Sequence, residues 1–133
     1  MELSVTALDH LVLTVGDIPT TLRFYEEVLG MAGVPFQPAT GEVRWALQYG
    51  RQKINLHQAG AEFEPKAARP APGTADLCFL SEAPLAEWQA HLAAAGVPIE
   101  DGPVPRTGAI GPLLSIYVRD PDGNLLEISN ATG

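Results

Sequence analysis

Residues 9–30 read DHLVLTVGDIPTTLRFYEEVLG, and residues 75–96 read ADLCFLSEAPLAEWQAHLAAAG. The two segments align without a gap at an offset of 66 (76 − 10 = 66). Each opens near a polar residue, His10 or Asp76, and runs on through four or five mainly apolar residues. Each then turns, meets a proline and continues as an amphipathic stretch closed by a glycine. In the first copy Asp17 is a candidate helix N-cap and Pro19 falls in the first turn. Leu22, Tyr25, Val28 and Leu29 recur at helical spacing, and Gly30 can close the helix in the left-handed conformation. In the second copy Pro84 starts the helix, Leu85, Trp88, Leu92 and Ala95 form its stripe, and Gly96 ends it.

The correspondence continues downstream. Arg44–Tyr49 and Leu114–Arg119 read as strands, followed by the loops GRQK at 50–53 and DPDGN at 120–124. The strands Ile54–His57 and Leu125–Ser129 come next, matched at an offset of 70 (127 − 57 = 70). Asp122-Gly123 is a strong tight-turn signal. The chain is therefore expected to be a single α+β domain, 1–133, made of two strand–helix–three-strand modules. Module 1 spans about 1–60, module 2 about 74–133. Residues 58–73 carry three prolines and two glycines and read as a linker.

Strand alternation separates the two faces of each strand. Leu11, Leu13 and Val15 suit a helix-packed face, which leaves His10, Val12 and Thr14 on the other. Leu77 and Phe79 separate from Asp76 and Cys78, Ile54 and Leu56 from Asn55 and His57, and Leu126 and Ile128 from Leu125, Glu127 and Ser129. Each strand so gains an ionisable group opposite its apolar face. The repeat pairs His10 with Asp76 and His57 with Glu127. If a pseudo-two-fold axis relates the halves, these four groups converge on it. Two imidazoles and two carboxylates suit one first-row divalent ion: Zn, Ni, Co, Mn or Fe(II). His91, beside the stripe of the second helix, is read as structural.

Composition narrows the partners. Eight basic against 16 acidic residues give a net charge of −8, which disfavours nucleic acid and membrane surfaces. Cys78, alone in an apolar run, reads as a small buried hydrophobe, and a lone cysteine with no signal-like N-terminus suggests a cytoplasmic setting.

The opening HLVLTVGDIPTTLRFYEEVLGM, the repeat and the closing YVRDPDGNLLEIS resemble the vicinal oxygen chelate superfamily over essentially the whole chain. That superfamily includes glyoxalase I, extradiol dioxygenases and bleomycin-binding proteins. QKINLH at 52–57, PGTADLCF at 72–79 and GPVPRTGAIGPLLSIYVRDPDGN at 102–124 resemble its subgroup called glyoxalase domain-containing protein 5. The resemblance implies paired βαβββ modules forming a curved mixed sheet, one metal ion in its concave face, and homodimers that often share the cleft between chains. Its metal positions fall on His10, His57, Asp76 and Glu127. Bacterial glyoxalase I carries Glu where His57 stands and His where Asp76 stands, so the donor count is kept.

The implied chemistry is bidentate binding of a small substrate through neighbouring oxygens, with the metal as Lewis acid and a carboxylate moving a proton. Glu127 is the first choice for that base and Asp76 the alternate. A glyoxalase-like isomerase or lyase is the leading expectation. A ferrous extradiol-type dioxygenase is second: His10, His57 and Glu127 match its inventory, although its second histidine belongs where Asp76 stands. A small-molecule binding protein is third. Alternation adds Ser115, Tyr117 and Asn55 as substrate contacts. Arg106, in a Gly/Pro-rich loop read as a lid or rim over a cleft, and Arg44 are candidates for a substrate carboxylate.

Overall fold

A computed structural model describes residues 2–39 and 41–133. The chain divides into two compact units, the first ending at Ala71 and the second spanning Pro72–Gly133. Both have the order strand, helix, three strands.

In the first unit, β1 (His10–Val15) leads through a tight turn into α1 (Ile18–Glu27). Asp17 caps this helix, accepting from the Thr20 amide, and Pro19 lies in its first turn as expected. Gly30, at φ 72°, lets the chain leave the helix. β2 (Ala32–Phe36), β3 (Arg44–Tyr49) and β4 (Gln52–Gln58) follow as an antiparallel run. β1 then pairs in parallel with β4, so the sheet order is β1-β4-β3-β2. Leu13, Val15, Leu47, Ile54 and Leu56 are almost wholly buried with Tyr25 and Val28 of the helix side. The opposite sheet face carries His10, Val12 and Thr14.

The second unit repeats this plan with β5 (Asp76–Leu80), α2 (Leu85–Ala94), β6 (Asp101–Thr107), β7 (Pro112–Arg119) and β8 (Leu125–Ala131). Its order is β5-β8-β7-β6, with β5 parallel to β8. Leu85, Leu92, Ile116, Val118, Leu126 and Ile128 form its core. The DPDGN turn is held by Asp120, whose Oδ1 accepts from the amides of Asp122 and Asn124. Asn124 in turn accepts from the Ala75 amide, which ties the start of β5 to the start of β8.

Two expectations need correction. Arg106 lies in β6 rather than in a lid loop: the Gly/Pro-rich stretch pairs with β7 from Val104 to Thr107, despite two prolines, because an edge strand tolerates missing donors. Residues 59–75 contain no helix or strand, yet 61–70 are more than a spacer. Phe63, Pro65, Lys66 and Pro70 fold back over the first unit's open sheet face beside His57.

Candidate functional site

The strand registers fix which side chains share each open face. In the first unit His10 lies opposite Lys53, Val12 opposite Asn55 and Thr14 opposite His57. In the second, Asp76 lies opposite Leu125 and Cys78 opposite Glu127. Lys53 therefore corresponds to Leu125, at an offset of 72 (125 − 53 = 72). This corrects the pairing of His57 with Glu127 read from the sequence. The residue in the place of Glu127 is Asn55, and His57 corresponds to Ser129.

A second observation supports the corrected register. The Gln58 amide donates to the Gly16 carbonyl and accepts from the Ile18 amide at the start of α1. The Asn130 amide donates to the carbonyls of Ser81 and Ala83 and accepts from the Leu85 amide at the start of α2. These two side chains do the same work in the two units, again 72 apart (130 − 58 = 72).

Each unit thus presents one diagonal pair of donor-bearing side chains, His10 with Asn55 and Asp76 with Glu127, two register steps apart. The His10 Nδ1 meets an Asp9 carboxylate oxygen at 2.8 Å, a contact that orients the ring. Asn55 Oδ1 is buried and has no hydrogen-bond partner. A buried acceptor with nothing to accept is costly unless a ligand completes it.

His57 stands apart. It is four register positions from His10 (14 − 10 = 4), about 13 Å along the strand direction. Adjacent donors in a tetrahedral zinc site sit only about 3.3 Å apart. The residue is 6% exposed, and its ring meets Phe63 edge-on at 5.5 Å. Burial, then the Arg44 charge, pushes its pKa down, so the imidazole is neutral near pH 7. Arg44 lies over the other contact surface of this cluster, its guanidinium carbon 4.0 Å from the Phe63 ring centre. Its Nε is buried without a hydrogen-bond partner.

On the second unit's open face Glu127 is half-buried. Its Oε2 accepts a long bond of 3.4 Å from Ser129, whose hydroxyl also meets Ser115 at 2.6 Å and Cys78 Sγ at 3.3 Å. Ser115 is wholly enclosed, so its hydroxyl positions Ser129. Cys78 is exposed, contrary to the buried hydrophobe expected from its apolar neighbours, because its side chain points to the open face rather than the helix. Burial of its sulfur nonetheless raises the thiol pKa. Tyr117, opposite Glu127 across β7 and β8, accepts from Arg106 Nε at 2.8 Å. This bond, with Asp101 and Glu127 nearby, keeps the guanidinium firmly charged. Arg119 is spent on Glu100 and the Gly123 carbonyl.

Among the described residues no three His, Cys, Asp or Glu side chains are gathered around one point. The sequence-derived donors are distributed as two on each unit. The sequence reading missed the register, the Gln58 and Asn130 braces, and the strap carrying Phe63. The amides themselves were the available signal for the register, since each lies at or next to the end of its strand.

Comparison with known proteins gives a consistent result. The profile of the Glyoxalase/Bleomycin resistance protein/Dioxygenase superfamily matches residues 7–128. The chain is 56% identical over 129 residues to virulence protein STM3117 of Salmonella typhimurium, covering 97% of this chain and 87% of that protein. The crystal structure of STM3117 superposes with a TM-score of 0.92, covering 98% of this chain and 100% of that one. The chain is 55% identical to glyoxalase domain-containing protein RDO1 of Mycosarcoma maydis, covering 97% of this chain and 70% of that protein. Lactoylglutathione lyase of Agrobacterium tumefaciens is similar at 25% identity and a TM-score of 0.70, covering 96% and 95% of the two chains.

Proposed function

Because the chain belongs to the Glyoxalase/Bleomycin resistance protein/Dioxygenase superfamily, we propose that it is a divalent-metal-dependent, glyoxalase-like isomerase or lyase. Its substrate is a small compound bound through vicinal oxygens. The observation that carries this reading is the matched pair of diagonals, His10 with Asn55 and Asp76 with Glu127, at equivalent places on the two repeats.

The donor chemistry fits such an ion. One imidazole, one amide oxygen and two carboxylates form an oxygen-rich set, suited to Mn, Ni, Co or Fe(II) and acceptable to Zn. The unpartnered Asn55 Oδ1 supports the fit. Asn55 replaces His57 in the proposed ligand set, and His57 serves the neighbouring pocket. When bound, the ion supplies Lewis acidity to the substrate's paired oxygens.

The chain's own groups do the rest. Glu127 takes the proton α to the carbonyl and returns it to the neighbouring carbon, with Asp76 as the alternate base. Its contacts, a long bond from Ser129 and one with the Cys78 thiol, leave carboxylate lone pairs available. Arg106, steadied by Tyr117, receives a substrate carboxylate or the negative charge that develops. With only one imidazole in the set, the reading favours proton transfer over the extradiol reaction, whose iron site uses two histidines and one carboxylate. The motifs QKINLH and PGTADLCF support membership of the glyoxalase domain-containing protein 5 subgroup, with action in the cytoplasm as a homodimer.

The test is turnover by metal-stripped protein reloaded with Mn, Ni, Co, Zn or Fe(II) in turn. Isomerisation of methylglyoxal–glutathione adducts or of α-hydroxycarbonyl compounds, abolished by Glu127→Gln, is the expected result. Oxygen uptake on catechols with iron alone, and no isomerisation, would replace this reading with the dioxygenase.

A further inference from the structure

The open face of β1 and β4 reads in steps of two residues. His10 and Lys53 come first, then Val12 and Asn55, then Thr14 and His57. The last step is floored, walled and roofed. A cavity of about 240 Å³ lies there, bounded by Val12, Thr14 and His57 from the sheet and by Pro65, Lys66, Ala67 and Pro70 from the strap. Thr14 is 9% exposed and His57 6%, so the polar floor is almost dry. Val12, by contrast, is 45% exposed, and it lies opposite Asn55 in the strand register.

Lys66 reaches Glu64 at 3.4 Å and Glu62 at 3.7 Å, and Arg44 lies against Phe63. The walls are mostly aliphatic, and the His57 imidazole and the Thr14 hydroxyl are the hydrogen-bonding groups of the floor. The one charged side chain lining the cavity, Lys66, is thus already paired. An alkyl segment ending in a hydroxyl or carbonyl would find both a wall and a partner. Asn55 and His57 are two residues apart on β4, which is about 7 Å. Three carbons and an oxygen beyond a chelating head span that interval.

The geometry points to this cavity as the tail pocket of the substrate, which assigns the substrate class as a 2-oxo or 2-hydroxy acid with a short, uncharged tail of about three carbons ending in a hydrogen-bonding group. His57 and Thr14 read the end group, and the Pro65–Pro70 strap sets the tail length. The substrate class rests on the proposed chelation reaction, whereas the pocket itself does not.

Two experiments separate them. In metal-free protein, butane-1,4-diol is titrated and backbone amide shifts are followed by NMR. Saturable shifts at Val12, Thr14, His57 and Ala67, lost in Thr14→Val, are expected. No shifts there, or shifts unchanged in a folded Thr14→Val protein, would overturn the pocket. In Mn(II)-loaded protein, calorimetry compares pyruvate, 2-oxoglutarate and 5-hydroxy-2-oxopentanoate. The last should bind at least tenfold tighter than the other two, with the advantage lost in Thr14→Val and in His57→Gln. Equal affinity for all three overturns the tail assignment and leaves the chelation reading standing. Diol shifts with no binding of any oxo acid would sink the chelation reading and the substrate class, and leave the pocket.

Discussion

Replacing Asn124 with alanine tests how the second unit holds one of its proposed donors. Asn124 is 1% exposed. Its Nδ2 donates to Asp120 Oδ2 at 2.7 Å and its Oδ1 accepts from the Ala75 amide at 2.9 Å. The backbone bond from the Asn124 amide to Asp120 Oδ1 survives the substitution. Two side-chain bonds are then lost. Asp120 is 6% exposed and carries a carboxylate, so losing a donor there should cost about 2 kcal/mol. Ala75 is half-buried and water can reach its amide, so the lower figure of about 1 kcal/mol applies. The sum, about 3 kcal/mol, corresponds to a Tm loss of roughly 10 °C in a chain of this size. Urea unfolding followed by circular dichroism measures it. Ala75 precedes Asp76, so the metal affinity of the folded variant should also fall. Asn124→Asp provides the internal control. It keeps an acceptor for Ala75 but faces Asp120 with a second carboxylate. Near pH 7 it should be less stable than Asn124→Ala. A loss under about 1 kcal/mol for Asn124→Ala, with Asn124→Asp no worse, would refute the reasoning.

Other outcomes follow from the same geometry. Gly73→Ala should destabilise by about 2 kcal/mol, since the residue sits at φ 79° and an added Cβ would lie 2.6 Å from the Asp122 carbonyl oxygen; differential scanning calorimetry reads it. Asp17 has a pKa lowered chiefly by the Thr20 hydroxyl bond, so its stabilisation is present above the unfolded value of 3.8 and is lost as pH falls through the folded value. The Tm gap between wild type and Asp17→Asn should therefore close on acidification. His57 behaves with the same slope for a different reason. Its folded pKa lies below the unfolded 6.5, so the unfolded chain binds the proton first and the metal-free protein loses stability as pH drops through that range. His57→Gln should flatten the profile between about pH 7 and 5.

Much of the fold was legible because local signals agreed. The Asp17 cap, Pro19, Gly30 and the two apolar stripes specify each strand–helix unit with little help from tertiary context. Strand faces followed from alternation at His10, Val12 and Thr14. The register of β4 was not legible in the same way. A search for ionisable matches favours His57 with Glu127, while the pairing geometry equates Asn55 with Glu127, and a slip of two residues keeps every side chain on its face. Periodicity therefore cannot detect the error. The strap was opaque for a related reason. Prolines and glycines mark a loop but not where it lies, and the stacking of Arg44, Phe63 and His57 is a contact between segments. Arg106 shows the converse, with Pro103 and Pro105 masking an edge strand.

Titration of metal-stripped protein with Mn(II) by calorimetry tests the central claim most directly. Wild type should bind one ion per chain. His10→Gln, Asp76→Asn and Glu127→Gln should each weaken binding at least tenfold. Asn55→Leu should lose affinity comparably while the metal-free fold stays as stable as wild type, since its Oδ1 has no partner to strand. His57→Gln should stay within about threefold of wild type, a change under 1 kcal/mol. Absence of saturable binding, or full affinity in Asn55→Leu with loss in His57→Gln, would contradict the account.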